Sequence, residues 1–237
     1  MYRIAMMIIR LIYIAPYYFI KLWLLGKFNW FTEEQRYQFL KKVTKAANKA
    51  GKVHIIAFGL KNIPKENGFV FFPNHQGFYD VLTFLDTCPN AFSVVMKKEA
   101  GNIILLKQVI RLLKGQLIDR RDVKQSMKVI KKMTEEVKQG RNYLIFAEGT
   151  RSKRKNQLLD FKGGSFKSAM NAKCPIVPVA LIDTYKPFDE KSIKKVTVQI
   201  HYLEPILYEE YKGMKTTQVA AIVKSRIEDT IQRYTPS

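Results

Sequence analysis

The stretch that indicates the fold most directly runs from Phe69 to Asp80 and reads FVFFPNHQGFYD. Four apolar residues come first, Pro73 ends them, and a polar segment with Gly77 follows. A short apolar run bounded by turn residues predicts a strand that is buried on both faces. Because glycine tolerates tight turns, the chain can reverse behind this strand. The polar residues after it are therefore expected at one edge of a sheet.

Similar apolar runs recur along the chain and alternate with helical patterns. The other strand-like runs are Val53–Phe58, Phe92–Met96, Tyr143–Ala147, Ile176–Leu181 and Val196–Leu203. Helical patterns cover Thr32–Lys49, Asp122–Lys138 and Thr216–Arg233. Buried strands separated by helices predict the α/β class, with a mixed, largely parallel sheet flanked by helices.

Two details of this pattern make local predictions. In the helix Asp122–Lys138, one apolar face is predicted from helical spacing, formed by Val123, Met127, Ile130, Met133 and Val137. Pro178 lies inside a strand-like run, VPVAL. Proline has no N–H to donate to a sheet, so this position predicts an edge strand or a bulge.

The first 31 residues are basic, apolar and rich in aromatic side chains. Their uncharged run, Leu11–Ile20, is shorter than the roughly 20 apolar residues that a membrane-spanning helix needs. No small-residue cleavage site follows, which disfavours a signal peptide. Tyrosine and tryptophan settle at the headgroup level of a bilayer, and these residues are Tyr13, Tyr17, Tyr18, Trp23 and Trp30. We expect a helix lying in the membrane plane; a buried first helix and a short tilted span are the alternatives.

The expected organisation is therefore a helical, membrane-anchoring element over residues 1–50 and an α/β domain over residues 51–237. Two helices are expected before the first strand. Thr32 is the predicted N-cap of the second helix, and Gly51 is its predicted stop.

The charge balance is strongly basic. The chain has 41 Lys and Arg against 20 Asp and Glu, a formal net charge of +21. Such a surface attracts polyanions, which include anionic membranes, phosphorylated substrates and nucleic acids. Cys88 and Cys174 belong to no CxxC pair, so we expect two small buried side chains and no metal or disulfide framework.

A first candidate for chemistry is the pair His75 and Asp80. On an ideal helix, residues five apart lie about 140° apart, so the two meet only if His75 occupies a turn and Asp80 begins a helix. In that geometry the carboxylate binds one imidazole nitrogen and the other can accept a proton from a hydroxyl. A purely structural histidine is the alternative.

Two further segments suggest anion binding. FAEGTRS, Phe146–Ser152, follows a strand directly, and Arg151 offers a bidentate fork for phosphate. GQLIDRRD, Gly115–Asp122, places Arg120 and Arg121 just before a helix N-terminus, which favours anions. A solvated basic loop and a surface ion pair between Asp119 and Arg120 are the respective alternatives.

Taken together and in this order, the motifs resemble those of the glycerolipid acyltransferase family over about residues 30–205. The first block, Asn-His-x4-Asp, is matched by Asn74, His75 and Asp80. The second is matched by Asp119 and Arg120, and the fourth, a Val-Pro-Val strand, by Val177, Pro178 and Val179. The third, Phe-x-Glu-Gly-Thr-Arg-Ser, is matched in full over Phe146–Ser152, and Phe161, Lys162 and Gly164 resemble the Phe-Lys-x-Gly that follows it. MKKE, Met96–Glu99, resembles the Lys-Lys-Glu stretch between the first two blocks.

The resemblance implies direct acyl transfer from an acyl carrier protein or coenzyme A thioester to the sn-2 hydroxyl of 1-acyl-sn-glycerol-3-phosphate, which gives phosphatidic acid. It implies His75 as the base and Asp80 as the residue that orients it. The substrate phosphate would be bound by Arg120, Glu148, Gly149, Thr150, Arg151 and Lys98. Supporting motif residues would be Asn74, Gly77, Asp119, Ser152, Lys162 and Pro178. No cofactor or metal is expected, and the expected location is the cytoplasmic face of the cell membrane.

Three alternatives remain at this stage. The acceptor could be glycerol-3-phosphate or another lysophospholipid. The basic chain could bind nucleic acid, although no RNP-type motif, zinc finger or helix-turn-helix is evident. It could also be a membrane-binding module without activity. The motifs do not identify the acyl donor, the preferred acyl length or the oligomeric state.

Overall fold

The computed structural model of the protein describes residues 2–102, 104–119 and 121–235. Its centre is a seven-stranded sheet in the order β1-β7-β6-β2-β5-β3-β4. The strands are β1 (Val53–Phe58), β2 (Val70–Pro73), β3 (Ser93–Lys97), β4 (Gln116–Ile118), β5 (Tyr143–Leu144), β6 (Ile176–Ile182) and β7 (Val196–Tyr202). Within the described chain, β6 and β7 pair antiparallel and the other neighbours pair parallel. The predicted mixed, largely parallel sheet is confirmed.

Helices cover both faces of this sheet. They are α1 (Tyr2–Arg10), α2 (Ala15–Lys27), α3 (Glu33–Ala50), α4 (Asp80–Thr87), α5 (Ile104–Leu112), α6 (Val123–Lys138), α7 (Lys167–Ala172), α8 (Lys186–Asp189), α9 (Tyr208–Tyr211) and α10 (Thr216–Tyr234). Successive strand side chains point to opposite faces. Thus Phe69 and Phe71 join a core with α2, α3 and α4, whereas Val70 and Phe72 join one with α6, α7 and α10.

The predicted start of α3 is confirmed. The Thr32 hydroxyl accepts a hydrogen bond from the Gln35 backbone N–H at 3.1 Å. The Gln35 side chain accepts one from the Thr32 N–H at 2.9 Å, which completes a capping box. This reciprocal pair satisfies two backbone donors that the first helical turn would otherwise leave free.

The prediction of two helices before β1 was wrong. Three precede it, because the segment between α1 and α2 breaks and the two helices bend by 94°. In the described residues no single helix is long and apolar enough to cross a membrane; α1 and α2 meet that test only as the bent pair.

The N-terminal helices also pack into the rest of the protein. Arg3 is 1% exposed and donates hydrogen bonds to the carbonyls of Gly51 at 2.6 Å and Pro187 at 3.1 Å. Tyr18 and Leu22 of α2 belong to the same hydrophobic cluster as the sheet residues. Residues 1–50 therefore share a core with the α/β sheet, and the expected boundary near residue 50 is not a break in packing.

The other side of α1 and α2 faces outward. Large exposed apolar side chains there are Ile8, Ile9, Ile12, Tyr13, Ile14, Tyr17, Phe19, Ile20 and Trp23. Tyr13 is 99% exposed. The exposed apolar side chains on the rest of the described protein are spread singly over several elements. A contiguous apolar surface of this kind marks a place where a protein meets a partner or a membrane.

The apolar face predicted for α6 is only partly right. Met133 and Val137 are buried, as expected, but Val123 and Met127 are 69% and 64% exposed. The first turns of α6 lie beside the three-residue edge strand β4, and Gln125 donates to the Leu117 carbonyl there. An edge strand this short offers little surface on which these two side chains could pack.

Pro178 does not lie on an edge strand, because β6 is flanked by β7 and β2. The alternative prediction of a bulge is consistent with the register. Val179 pairs with Tyr202, but Ile176 pairs with Ile206, so the β7 side has one extra residue across this interval. Pro178 accepts a hydrogen bond from Leu203 at 3.0 Å, and the irregular register accommodates its missing donor.

Candidate active site

The predicted contact between His75 and Asp80 is present. His75 lies in the loop after β2, and Asp80 is the first residue of α4. The distance from His75 Nδ1 to Asp80 Oδ2 is 2.7 Å. The Asp80 side chain is fully buried and that of His75 is 21% exposed. With Nδ1–H bound to the carboxylate, Nε2 keeps its lone pair and can accept a proton.

The Asp80 carboxylate is held by further donors. It accepts hydrogen bonds from the backbone N–H of Gln76 at 2.7 Å and of Gly77 at 3.1 Å. The Thr184 hydroxyl donates to its other oxygen at 2.7 Å. Hydrogen bonds to a charged group are the strong ones, and together they fix the side chain in one orientation. The position of the imidazole follows from that of the carboxylate.

Gly77 is needed here for space. A Cβ at this position would lie 3.2 Å from the Tyr185 Cα. Such a contact is tighter than ordinary packing, so a side chain here would require the two backbones to shift apart by a few tenths of an ångström. The absence of a side chain therefore lets the loop approach the segment after β6 and turn its N–H toward Asp80.

The segment after β5 holds the backbone of His75 from the other side. Glu148 Oε1 accepts from the His75 N–H at 2.7 Å, and Glu148 Oε2 accepts from the Leu159 N–H at 3.0 Å. The Ser152 N–H donates to the His75 carbonyl at 2.8 Å. The third sequence block thus fixes both backbone polar groups of the histidine.

This geometry adds a positioning role for Glu148. Both of its oxygens bind backbone amides inside the loop, so the carboxylate helps to position His75. The side chain is 2% exposed. Burial raises the pKa of Glu148 to about 7, against the opposing effect of the amide hydrogen bonds from His75 and Leu159.

An aromatic ring supports the imidazole directly. The rings of His75 and Phe146 are stacked, with centroids 4.0 Å apart and an angle of 26° between their planes. Phe146 comes from the end of the β5 segment and is packed against the apolar core. The stacked ring restricts rotation of the imidazole, as the hydrogen bond at Nδ1 does.

Polar side chains connect the His75 loop to β6. Asn74 donates to the Leu181 carbonyl at 3.0 Å and accepts from the Leu181 N–H at 2.7 Å. Gln76 Oε1 accepts from the Thr184 N–H at 2.8 Å and lies 2.9 Å from the Thr184 hydroxyl oxygen. Our sequence reasoning missed Gln76 and Thr184. The available signal was a hydroxyl residue directly after a buried strand, at the edge where His75 also lies.

Arg151 lies beside the His75 loop, and its positive charge is available to bind an anion. Its guanidinium carbon is 4.0 Å from the centroid of the Phe78 ring, a cation–π contact. Among the described residues, no carboxylate forms an ion pair with it. Gly149 has a φ of +77°, a left-handed conformation that favours glycine, and Thr150 is exposed.

The second block lies farther along the sheet. Lys98 Nζ is 3.4 Å from Asp119 Oδ2, after strands β3 and β4. The Arg121 N–H lowers the pKa of Asp119, and Lys98 adds to that effect. Arg120 lies outside the described residues. β3 and β4 are two and three strands from β2, roughly 10 to 15 Å, so Lys98 and Asp119 form a separate group from His75.

Lys162 and Pro178 support the site through the backbone. The Lys162 N–H donates to the Ala147 carbonyl at 2.9 Å, which ties the following segment to the end of β5, while its side chain is exposed. Pro178 lies within β6, next to Phe72 of β2 in the register. These two residues position the strands behind the loops and do not contact His75.

The other titratable candidates lie outside this site. His201 is stacked on Phe58 and packs against the tilted ring of Tyr234, and burial lowers its pKa to about 4. Cys88 and Cys174 are buried, as predicted, and burial raises their pKa values to about 11 and about 12. These groups are structural in the described protein.

Comparison with known proteins adds family information. A sequence model of the family described as Acyltransferase matches residues 53–182. The chain is 28% identical over 172 residues to the 1-acyl-sn-glycerol-3-phosphate acyltransferase of Borreliella burgdorferi, covering 70% of this chain and 68% of that protein. It is 29% identical over 163 residues to the enzyme of that name from Escherichia coli K12, covering 68% and 66%. A relative of that name from Cocos nucifera, 27% identical, is matched over 68% of this chain and 53% of its own length. The chain therefore spans between about half and two thirds of such relatives.

A solved structure has the same fold. The crystal structure of the 1-acyl-sn-glycerophosphate (LPA) acyltransferase PlsC from Thermotoga maritima superposes with a TM-score of 0.78 at 22% sequence identity. The match covers 100% of both chains. It extends over the three N-terminal helices as well as the sheet.

Proposed function

This chain belongs to the acyltransferase family, and from that premise we propose that it moves a fatty acyl group from a thioester to the sn-2 hydroxyl of 1-acyl-sn-glycerol-3-phosphate. The product would be phosphatidic acid, a precursor of phospholipids. Relatives from bacteria and plants that carry the corresponding name support the choice of acceptor. The donor would be a thioester of acyl carrier protein or of coenzyme A.

In the proposed reaction His75 is the general base. Its Nε2 accepts the proton of the sn-2 hydroxyl while the oxygen bonds to the thioester carbonyl carbon. When the tetrahedral intermediate collapses, the carbon–sulfur bond breaks and the thiolate takes the proton from the imidazolium. Asp80 orients the ring and stabilises its charged form throughout. The observation that carries this proposal is the 2.7 Å contact between His75 Nδ1 and a fully buried Asp80.

Arg151 is the proposed ligand of the substrate phosphate. It is anchored on Phe78, two residues before Asp80, and has no ion-pair partner among the described residues. A guanidinium presents paired N–H groups that match phosphate oxygens. Arg151→Ala should raise the KM for the acceptor with a smaller effect on kcat, and an unchanged KM would reject this role.

Lys98, with Asp119, belongs to the second group, two to three strands away from His75. Lys98 is therefore proposed to contribute to the field that attracts the anionic substrates, and Arg151 to bind the phosphate near the reacting hydroxyl.

The acceptor is tested by direct competition. Purified protein would receive a radiolabelled acyl thioester and equal amounts of 1-acyl-sn-glycerol-3-phosphate, glycerol-3-phosphate and lysophosphatidylcholine. Phosphatidic acid as the dominant product supports the proposal. Dominant acylation of either other acceptor would replace it with that specificity while leaving the reaction class intact.

We also propose that α1 and α2 lie in the plane of the membrane, at its cytoplasmic face. The exposed apolar side chains of these helices are continuous with basic residues such as Arg10 and Lys21. Aromatic rings at the headgroup level and cations toward anionic phosphates suit this position. Because Arg3 and Tyr18 are buried against the rest of the protein, deleting the helices would disturb the fold. Surface substitutions are therefore the appropriate test.

The membrane experiment compares two matched variants. Ile9→Gln/Ile20→Gln changes two side chains of α1 and α2 that are 68% and 56% exposed. Leu60→Gln/Leu207→Gln changes two that are 43% and 51% exposed elsewhere. In a flotation assay with phosphatidylglycerol vesicles, the first variant should detach and the second should stay bound. Equal retention of both would place the membrane contact elsewhere on the protein.

A further inference from the structure

A second basic site lies beside the N-terminal helices, apart from the His75 loop. It is a cavity of about 300 Å³ at the starts of β1 and β7. Its lining residues are Asn48, Lys49, Lys52, Val53, His54 and Lys195. Lys49, Lys52 and Lys195 form no ion pair in the described structure. Three lysines thus line one cavity, and none of them has a carboxylate partner among the described residues.

The sheet register forces two of these lysines together. Val53 of β1 pairs with Val196 of β7, and the strands run parallel. Lys52 and Lys195 each come one residue earlier, and the Val196 N–H donates to the Lys52 carbonyl at 3.1 Å, so the two lysines lie on adjacent backbones. Like charges placed side by side on a sheet are destabilising. A bound anion would relieve this repulsion, whereas an empty site would keep it.

The lysines are also not needed to neutralise the end of α3. The C-terminus of a helix carries partial negative charge, and α3 ends at Ala50 next to the cavity. Arg10 donates to the Ala50 carbonyl at 2.9 Å, and Arg3 donates to the Gly51 carbonyl at 2.6 Å. The helix end is therefore satisfied by arginines from α1, which leaves Lys49 and Lys52 for another partner.

The polar neighbours of the cavity are occupied. Asn48 donates to Asp86 at 2.6 Å and accepts from the Tyr79 hydroxyl at 2.5 Å. Asp86, which lies behind this wall, is thus bonded to Asn48. His54 is exposed and adds a fourth nitrogen-bearing side chain. The free functional groups at the mouth of the cavity are cations.

The position of the cavity relates it to the apolar surface of α1. Arg3 and Arg10 of α1 contact the chain directly beside it, and the same helix exposes Ile8 and Ile9. We propose that the cavity formed by Lys49, Lys52 and Lys195 binds a phosphate group, as found in an anionic lipid headgroup or in a free phosphate. This site is separate from the phosphate site proposed at Arg151 and does not depend on acyl transfer.

The test uses two triple variants of the full-length protein. Lys49→Gln/Lys52→Gln/Lys195→Gln removes the cavity lysines. The control, Lys61→Gln/Lys65→Gln/Lys173→Gln, removes the same charge from exposed lysines that do not line the cavity: Lys61 follows β1, Lys65 precedes β2 and Lys173 precedes β6. The two sets are matched in backbone, because Lys52 and Lys173 have φ values of 53° and 57°. Circular dichroism and thermal melting establish that both variants are folded.

Two probes distinguish the source of the phosphate. In the first, inorganic phosphate is titrated and the backbone amides around the cavity are followed by NMR. In the second, binding to phosphatidylcholine vesicles is measured with and without phosphatidylglycerol. The cavity variant should bind the anionic vesicles about tenfold more weakly than the control variant, since each lysine near an anionic surface contributes measurably to affinity.

Each outcome bears on the proposal. A saturable shift with inorganic phosphate that only the cavity variant loses supports a site for free phosphate. A cavity-specific loss with anionic vesicles alone supports a lipid headgroup, and a loss in both arms supports a site that accepts either. If the two variants behave alike in both arms, the lysines contribute general surface charge and the proposal is overturned.

Discussion

The substitution Glu148→Gln tests how the loop beneath His75 is held. In the wild type, Oε1 accepts from the His75 N–H at 2.7 Å and Oε2 from the Leu159 N–H at 3.0 Å. Glutamine has the same shape but only one acceptor oxygen. Its NH₂ group must therefore face one of the two backbone donors, which leaves a buried N–H without a partner.

The pH dependence of this substitution can be worked out from the carboxyl pKa. Burial raises the pKa of Glu148 from its ordinary value of 4.5 to about 7. The folded state then binds more protons than the unfolded state between these values, so wild-type stability falls as pH rises through this window. The full pKa change corresponds to roughly 3 kcal/mol. The variant has no titrating group here, so its own stability should change little across this window.

Urea unfolding of both proteins at a series of pH values, from about 5 to about 8, measures this difference. The stability advantage of the wild type over Glu148→Gln should be largest at the acidic end and should shrink as pH rises. Glu66→Gln is the matched control, because it makes the same chemical change at an exposed position. Its difference from the wild type should stay small at every pH.

One result would refute the reasoning. If the advantage of the wild type grows with pH, the amide hydrogen bonds from His75 and Leu159 outweigh burial, and Glu148 is a stabilised carboxylate. The geometry of the loop would stand, but the electrostatic account of it would be wrong.

Three further changes have defined expectations. Thr184→Val removes a hydrogen-bond donor to Asp80 and should lower kcat roughly tenfold with little change in KM, and it should also shift the pH–rate profile. Thr184→Ser should restore both the kcat and the profile. A normal pH–rate profile in the valine variant would contradict a positioning role for Thr184. Asp80→Asn should keep the fold but lower turnover by about 10² to 10⁴, measured as initial rate, because the amide no longer stabilises a protonated His75. Glu33→Gln should destabilise the protein at neutral pH, because Arg141 lowers the pKa of Glu33 to about 2 against the opposing effect of burial; this stability contribution is present above about pH 4.5 and should vanish as pH falls toward 2, and a difference that persists in acid would reject it.

The local parts of the fold were predictable from the sequence. The apolar runs that become β2 and β6 are buried on both faces, so their composition marks them without knowledge of their partners. The capping box at Thr32 is likewise encoded within four residues. Strand β5 was predicted as Tyr143–Ala147 but ends at Leu144, because the residues after it turn to hold the His75 loop.

The structural features that were predicted wrongly depend on neighbours that are distant in sequence. Val123 and Met127 have helical spacing suited to a buried face, but burial depends on what lies opposite them, and β4 is too short to provide it. The break between α1 and α2 depends in the same way on packing. Arg3 donates hydrogen bonds to the carbonyls of Gly51 and Pro187, and no local sequence pattern predicts these contacts.

In the candidate site too, contacts between residues close in sequence were predictable and contacts between distant residues were not. His75 and Asp80 are five residues apart, so a turn followed by a helix start suffices to bring them together. Thr184 is 104 residues from Asp80 and belongs to no motif, so its hydrogen bond appears only once β2 and β6 are paired. The phosphate role expected for Glu148 stays a prediction from its motif, and the structure adds that its two oxygens accept from the His75 and Leu159 N–H groups.

The net charge alone does not distinguish between the possible classes of function. A net charge of +21 suits nucleic acid as well as membranes and phosphorylated substrates. The family match over residues 53–182 decides for an acyltransferase. The structure adds two separate places where cations have no ion-pair partner among the described residues, one at Arg151 and one at the cavity beside α1.

The most direct test of the central claim is acyl transfer to 1-acyl-sn-glycerol-3-phosphate, with wild type and His75→Ala compared side by side. Acyl carrier protein and coenzyme A thioesters would be supplied separately, and circular dichroism would establish that the variant is folded. The account predicts phosphatidic acid from the wild type and a rate lower by about 10² to 10⁴ in the variant. A folded His75→Ala protein that forms product at a near wild-type rate would contradict it.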